Sequence, residues 1–306
     1  MNRGTHRATK SEPGDVERLA AAGAALQERA GPRPEVVKPD YDTLPDGEGI
    51  PEVSAEQLTP GLIRGSILRH GAVIARGLVD PEPATQLTGE IDRAIAASQA
   101  SGRRGKNGSF RPLAVEELAP SRSVTMSTGT LLLADCPQVA FELISLYRDA
   151  GVRELIEGYL NEPPALSADK TTLRKAMPSP EPGGWHQDGK FLGDVNSLNL
   201  WLSLSHCGDT APGLDLVPRR LDEIVEAGVG PDGLAAITVP HERAEELAGD
   251  LGIARPIFEP GDGIFFDHMN LHRTASEPQM TGTRYAVESW FFGPSAFPEG
   301  YTALAF

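Results

Sequence analysis

Apolar side chains recur at helical spacing in several stretches of the chain after residue 45. Ser54 and Gln57 fit a capping box, and the apolar residues that follow them at helical spacing predict a helix. Asp80 as the cap and Pro81 as the first helical residue predict the start of a second amphipathic helix. Residues 137–160 carry the same spacing with a break near Gly151, which predicts two further helices.

Shorter stretches with alternating apolar, β-branched and aromatic residues predict strands. We assign strands to residues 72–77, 166–177, 197–205 and 283–292, and an apolar strand before the histidines of residues 259–274. Several short strands late in the chain, separated by turn signals, are typical of a double-stranded β-helix, which is a cupin-like jelly roll. The predicted fold class is therefore mainly β, with flanking α-helices.

The first 45 residues differ in composition from the rest of the chain and are rich in Arg, Glu, Pro, Gly and Ala. Prolines interrupt any long helix there, at Pro32, Pro34, Pro39 and Pro45. We predict a flexible or draped extension over residues 1–45, with a short Ala-rich helix at 16–29, and one domain over residues 46–306. Polar residues near 209–252 predict an insertion at the mouth of the barrel, where substrate selection often resides.

The charge balance narrows the choice of partners. Lys and Arg number 28 against 43 Asp and Glu, which gives a net charge of −15. Such acidity repels phosphate backbones, so we expect no nucleic acid and no anionic membrane surface as a partner. No apolar run approaches the ~20 residues of a membrane helix, and we expect a soluble, cytoplasmic protein that acts on a small molecule. The oligomeric state is not predicted by any feature of the sequence.

The candidate chemistry begins with His186 and Asp188, in the sequence Trp-His-Gln-Asp-Gly. Residues two apart on an extended strand point to the same face, so both side chains can bind one metal ion while Gln187 points away. They supply two of the three ligands of a facial triad of two histidines and one carboxylate, which leaves open positions on iron(II). A second histidine must come from elsewhere in the chain.

Residues 259–274 read as a turn, an apolar strand and then histidines, and they offer His268 and His272. If one strand begins at Ile264, both histidines lie on the same face, so alternation does not separate them. Arg284 follows on another predicted strand, where a planar guanidinium can hold a carboxylate through two parallel hydrogen bonds.

This ordered set resembles the phytanoyl-CoA dioxygenase family of iron(II)/2-oxoglutarate oxygenases. The set is His-x-Asp, then Gly-Asp-x-x-x-Phe with a histidine nearby, then an arginine. The resemblance extends from about residue 50 to the C-terminus, and its specific motifs all follow residue 170. The family's distal histidine falls six residues after the second aromatic of Phe265-Phe266, with a small hydroxyl residue two places later, which selects His272 and Thr274.

The resemblance implies that His186, Asp188 and His272 bind iron(II) and carry catalysis, while Arg284 clamps the far carboxylate of 2-oxoglutarate. It also implies that Trp201 forms a wall beside this co-substrate. Thr172 or Lys175, on opposite faces of the strand over residues 166–177, is predicted to contact the co-substrate as well.

The family comparison predicts a dioxygenase that consumes O2 and 2-oxoglutarate, releases succinate and CO2, and hydroxylates a small molecule such as a secondary metabolite. A carboxylate at Asp188 argues against halogenation, because related halogenases have a small residue at that place. Ala-Pro-Gly at residues 211–213 replaces the family's Asn-Gly, which makes an analogy of substrate unsafe. The alternatives are a metalloenzyme that does not use 2-oxoglutarate and a catalytically silent jelly-roll binding protein.

Overall fold

The computed structural model describes residues 14–101, 110, 129–193, 195–227 and 238–306. Within these ranges, eleven strands form one nine-stranded sheet and one two-stranded sheet. The strands are β1 (Glu52–Ser54), β2 (Ala72–Arg76), β3 (Thr130–Leu132), β4 (Ala165–Ser167), β5 (Thr172–Ala176), β6 (Ser197–Ser203), β7 (Gly213–Leu216), β8 (Gly263–Phe266), β9 (His272–Ala275), β10 (Arg284–Phe292) and β11 (Ala303–Ala305).

The large sheet is built around its longest strand, β10. The order is β1-β2-β8-β6-β10-β4-β11, and β5 pairs with both β10 and β3. Strands β1 and β2 are parallel, and the other pairs of this sheet are antiparallel. Glu288 of β10 lies opposite Trp201 on β6 and opposite Thr172 on β5, so these three residues form one row across the sheet.

Helices cover one face of the large sheet because alternate residues of its strands are leucine, valine or phenylalanine. Leu198, Leu200 and Leu202 of β6 are fully buried in the core that these helices form with the sheet, which confirms the predicted alternation. The helices are α1 (Asp15–Glu28), α2 (Pro60–His70), α3 (Pro81–Ser101), α4 (Pro137–Asp149), α5 (Val152–Leu160), the single turn α6 (Gly189–Leu192) and α7 (His241–Ala248). Gly151, with φ of 74°, separates α4 from α5 as predicted.

The opposite face of the large sheet is covered by the small sheet of β7 and β9. Trp201, Ile264 and Phe266 pack there against Leu214 and Leu216 of β7. Two β layers that enclose an apolar interior, with helices outside, form the predicted double-stranded β-helix. No helix of the described ranges is long and apolar enough to cross a membrane.

Two predicted strands are each divided in the structure. Residues 166–177 form β4 and β5, because the chain turns at residues 168–171, where the amide of Thr171 donates to the carbonyl of Ser167 at 3.0 Å. Residues 264–272 also form two strands, since β8 ends at Phe266 and β9 begins at His272 in the other sheet. The prediction of one continuous strand was wrong for residues 166–177, and His272 does not continue the strand that contains Ile264.

The predicted capping box exists, but it caps a different element. Ser54 and Gln57 close a 3-10 turn at Ala55–Gln57, and helix α2 begins at Pro60 with Thr59 as its cap. In the N-terminal region, α1 packs closely on β11: a Cβ on Gly23 would lie 2.2 Å from the carbonyl oxygen of Ala303. The domain boundary near residue 45 stays a prediction.

Candidate metal centre

His186 and His272 lie side by side because their backbones pair. The amide of His186 donates to the carbonyl of His272 at 3.0 Å, and the amide of His272 donates back at 3.1 Å. This isolated antiparallel bridge brings the two imidazole ring centroids to 4.5 Å. A short pairing of two segments distant in sequence therefore creates the two-histidine part of the site.

Asp188 joins the two histidines from the start of α6. Its backbone is helical, with φ of −66° and ψ of −24°, so the extended conformation that the sequence predicted ends before this residue. The side chain nevertheless faces the histidines, and one ligand atom from each of His186, Asp188 and His272 lies within 4.8 Å of the others. Asp188 and His272 are 3% and 4% exposed, and His186 is half-buried.

Hydrogen bonds on the far side of each imidazole orient the rings. Nδ1 of His186 lies 2.9 Å from the carbonyl oxygen of Gly184, and Nδ1 of His272 lies 3.2 Å from that of Asn270. A carbonyl oxygen only accepts, so both Nδ1 atoms carry the proton and both Nε2 lone pairs are available to a metal. Nε2 of His272 lies 3.9 Å from Oδ2 of Asp188.

The carboxylate of Asp188 uses its two oxygens differently. Oδ1 accepts from the ammonium of Lys170 at 2.5 Å. Oδ2 is buried and has no hydrogen-bond partner among the described residues. A buried carboxylate oxygen without a partner is costly, and a divalent cation between the three side chains would satisfy it. The donor set of two imidazole nitrogens and one carboxylate oxygen fits iron(II).

The pKa values keep this site in a form that binds metal. Burial alone would raise the pKa of Asp188, but attraction to Lys170, His272 and His186 holds it well below its usual range. Burial, with repulsion from His186, lowers the pKa of His272 to about 4. At neutral pH the carboxylate is therefore ionised and His272 is neutral, which are the protonation states that metal ligands require.

Arg284 lies at the first position of β10, fully buried beneath the small sheet. Its Nη1 donates to the carbonyl of Gly213 at 3.0 Å, and its guanidinium lies 5.6 Å from the centre of the Trp201 ring. Burial lowers its pKa to about 10. No carboxylate of the described ranges forms an ion pair with Arg284, and its Nε has no hydrogen-bond partner there. A buried guanidinium in this state is suited to an anionic ligand.

Arg284 and Trp201 share a small cavity with two of the metal-binding candidates. Its lining residues are Arg174, His186, Trp201, Leu214, His272, Thr274, Arg284 and Glu288. The structure thus brings together the predicted wall, the predicted clamp and the two histidines. The free space is about 10 Å³, which is close to the volume that one water molecule needs.

The two predicted contacts on β5 have different positions. Thr172 does not line this cavity, but it lies on the strand face of Arg174 and its hydroxyl donates to Glu288, a lining residue, at 3.3 Å. Lys175 lies on the face covered by helices, where its ammonium pairs with Asp92 of α3 at 2.7 Å. The structure therefore does not bring Lys175 to the site, because strand alternation turns it away from Thr172. The neighbouring Arg174 takes the inner face and pairs with Glu288 at 2.7 Å.

Three charged residues near the site were missed by the sequence reasoning: Lys170, Arg174 and Glu288. Strand alternation alone places Arg174 on the same face as Thr172, and Glu288 on the same face as Arg284. Arg174 and Glu288 could therefore have been found from the sequence. Lys170 offered no such signal, since its position depends on the turn between β4 and β5. The alternative ligand His268 lies outside the group of atoms within 4.8 Å, and its Nδ1 is 3.4 Å from Oγ of Ser197.

Comparisons with known proteins show the fold. No family model matches the chain, and no curated protein matches it. Solved structures do match: AviO1 from Streptomyces viridochromogenes Tue57 is 16% identical with a TM-score of 0.53, and the alignment covers 79% of this chain and 98% of that one. EctD from S. alaskensis, with 2-oxoglutarate and 5-hydroxyectoine, is 17% identical with a TM-score of 0.56, covering 87% and 85%.

A third similar structure is SnoK from nogalamycin biosynthesis, a non-heme, alpha-ketoglutarate-dependent carbocyclase. It is 13% identical with a TM-score of 0.52, and the alignment covers 79% of this chain and 86% of SnoK. At these identities the likeness establishes the architecture, and the chain has the double-stranded β-helix that these proteins share. Chemistry has to be argued from the residues of this chain.

Proposed function

We propose that this protein is an iron(II)- and 2-oxoglutarate-dependent dioxygenase that hydroxylates a small molecule, similar to the phytanoyl-CoA dioxygenase family. The observation that carries the proposal is the group of His186, Asp188 and His272, with ligand atoms within 4.8 Å and one orphaned carboxylate oxygen. The unpaired, buried Arg284 in the adjoining cavity supports the co-substrate part. The proposed location of the protein is the cytoplasm.

The three ligands would hold iron(II) and leave the remaining coordination positions for small ligands. Bound iron supplies the oxidative chemistry, in which O2 and 2-oxoglutarate are consumed, succinate and CO2 are released and the substrate is hydroxylated. His186 and His272 keep their Nε2 atoms directed at the metal through their Nδ1 hydrogen bonds. Lys170 holds Oδ1 of Asp188, which leaves Oδ2 as the binding atom.

Arg284 provides the charge that would select a dicarboxylate. Its guanidinium would bind the carboxylate of 2-oxoglutarate that lies farther from the metal, with the Trp201 ring and Thr274 as walls of the same cavity. Arg284 is 1% exposed, and its separation from bulk water strengthens this attraction. The EctD structure contains 2-oxoglutarate and SnoK depends on it, so the fold is compatible with this co-substrate.

The size of the cavity favours a second candidate function. About 10 Å³ of free space beside Arg284 does not admit 2-oxoglutarate unless the lining side chains move. A metalloenzyme that does not use 2-oxoglutarate would keep the triad and use Arg284 only as a structural cation. The pair of Arg174 and Glu288 lies in the same lining, and its rearrangement is one movement that would enlarge the cavity for the first function.

An anaerobic titration separates the two functions. Metal-free protein receives iron(II) and then 2-oxoglutarate, and the weak visible charge-transfer band of the chelate is recorded for the wild type and for Arg284→Met. The proposal predicts a band in the wild type that is much weaker in the variant at the same concentration of 2-oxoglutarate. Tight iron binding without a band in the wild type would support the second function, and absence of iron binding would support a silent binding protein.

A further inference from the structure

Gln187 stands between two candidate metal ligands, but its side chain points to the opposite side of the backbone. It is 3% exposed and makes three hydrogen bonds to backbone groups. Nε2 donates to the carbonyl of Met269 at 2.7 Å and to the carbonyl of Glu223 at 3.2 Å, while Oε1 accepts from the amide of Val225 at 2.7 Å. One side chain thus connects the His186–Asp188 segment to two loops.

These bonds require a carboxamide of this length. Two of the partners are carbonyls that need a donor, and the third is an N–H that needs an acceptor. A glutamate in the same place would keep the acceptor and lose both donors, and a methionine would lose all three bonds. The three bonds are partly buried, so water replaces each lost bond only in part.

The first loop, residues 222–225, lies directly beside the metal centre. A Cβ on Gly189, the residue after Asp188, would be 2.7 Å from Cδ1 of Ile224 and 2.9 Å from the ring of His268. Ile224 is 38% exposed, so one side of it packs on Gly189 and the other is free for contact. A glycine at 189 is what allows this apolar side chain to pack against the residue that follows Asp188.

The second loop, which contains Met269, leads directly into His272. It is attached to the region after β7 by another pair, since Arg220 binds Asp267 in a buried ion pair and the amide of Met269 donates to Asp267 at 3.0 Å. Gln187 therefore lies where the His186–Asp188 segment, the loop before His272 and the loop with Ile224 meet.

We propose that Gln187 is a positioning residue that ties residues 222–225 to the metal-binding segment, so that metal binding and the placement of Ile224 are coupled. Metal binding fixes the side chains on both sides of Gln187 and so restricts the carboxamide between them. Residues 222–225 line a pocket of about 900 Å³, to which Ile224 contributes an apolar side chain, and the coupling would fix this wall. The inference rests on the proposed function only in taking His186 and Asp188 as metal ligands.

Hydrogen–deuterium exchange tests the coupling, with Co(II) as the probe metal and the wild type, Gln187→Met and Gln138→Met compared with and without it. Gln138 is a matched control, because among the described residues its side-chain amide bonds to Glu142 alone, on the same helix. Without metal, Gln187→Met should exchange the Val225 amide, and with it the signal of the 222–225 segment, about tenfold faster than the wild type, because that amide loses its acceptor. Co(II) should slow amide exchange at 222–225 in the wild type and in Gln138→Met, and leave that exchange unchanged in Gln187→Met.

Equal exchange at 222–225 in Gln187→Met and the wild type would overturn the proposal, and so would equal slowing by Co(II) in both. If Gln187→Met destabilises the whole protein, Gln187→Glu takes its place. Glutamate keeps the acceptor for the Val225 amide, so exchange at 222–225 should be faster than in the wild type and slower than in Gln187→Met. If the wild type binds no Co(II), the proposed function fails, while the metal-free comparison still decides whether Gln187 holds the segment.

Discussion

The ammonium of Lys170 lies 2.5 Å from Oδ1 of Asp188, while the other carboxylate oxygen faces Nε2 of His272 at 3.9 Å. Lys170 also lies 5.6 Å from the centre of the Trp290 ring, and its backbone amide donates to Oγ of Ser167 at 3.2 Å. The turn between β4 and β5 thus places one fixed cation on the side of Asp188 away from the histidines. In the metal-free protein, Lys170 is the ion-pair partner that compensates this buried charge.

Lys170→Met should destabilise the metal-free protein by about 3 kcal/mol, because removal of one partner leaves a buried charge uncompensated. Urea unfolding in the presence of a chelator measures the loss. The double variant Lys170→Met/Asp188→Asn has no charge to compensate and should recover most of it. A stability of Lys170→Met equal to that of the wild type would show that the ion pair contributes nothing.

His272→Gln should lose metal binding, and His268→Gln should retain it. Loss of an outer partner of a metal ligand costs about 10- to 100-fold in affinity, so loss of a ligand should cost about 100-fold or more. Co(II) titration monitored by its visible absorption gives both dissociation constants. The opposite order, with His268→Gln the weaker binder, would replace His272 by His268 in the triad.

Arg284→Met should leave Co(II) affinity near that of the wild type and weaken 2-oxoglutarate binding by about 100-fold. The reason is that a charge-assisted pair in a buried site is worth about 2–5 kcal/mol when one partner is truncated. Arg284→Lys is the control, since it keeps the charge but loses the two parallel hydrogen bonds, and its affinity should be intermediate. An unchanged affinity in Arg284→Met would remove the arginine from the co-substrate site.

The metal-free protein should lose stability as the pH falls from 6.5 towards 4. The ordinary pKa of histidine is 6.5 and that of buried His272 is about 4, so between these values the unfolded state binds a proton that the folded state does not. The folded state is therefore more stable above pH 6.5. The free energy of unfolding falls by at most about 3 kcal/mol between pH 6.5 and 4. The depressed pKa of Asp188 lowers stability chiefly around and below its ordinary value of 3.8, so it contributes only at the acid end of this window.

Unfolding by urea at several pH values measures this dependence, with His272→Gln as the comparison. The variant cannot be protonated at that position, so its stability should depend less on pH between 4 and 6.5. His70, whose pKa is also lowered by burial, contributes equally to both proteins and cancels in the difference. Identical pH profiles would show that His272 does not carry this proton linkage.

Much of the fold and the core of the site follow from local patterns. His186 and Asp188 are close in sequence and were found together, and the alternation of β6 placed its leucines on the helix side and Trp201 on the site side. These features depend on the period of a strand or on spacing within a few residues. They could be predicted because no distant contact is needed to produce them.

The features that the sequence did not reveal depend on turns and on distant contacts. The turn at residues 168–171 interrupts an otherwise strand-like stretch, and side-chain bonds to Ser167 and Asp169 stabilise it. The same applies to the break after Phe266, where Asp267 accepts from the amide of Met269. Ser and Asp are turn-forming residues, so both breaks carried a signal, but the ion pair of Lys170 with Asp188 requires the whole sheet.

The most direct test of the central claim is a crystal structure grown anaerobically with Mn(II) and 2-oxoglutarate. We expect one anomalous peak at about 2.0–2.3 Å from Nε2 of His186, Nε2 of His272 and Oδ2 of Asp188, typical of such ligands. We also expect the far carboxylate of 2-oxoglutarate on Arg284, with Arg174 and Glu288 moved to make room. An anomalous peak elsewhere, or its absence from these three side chains, would contradict the account.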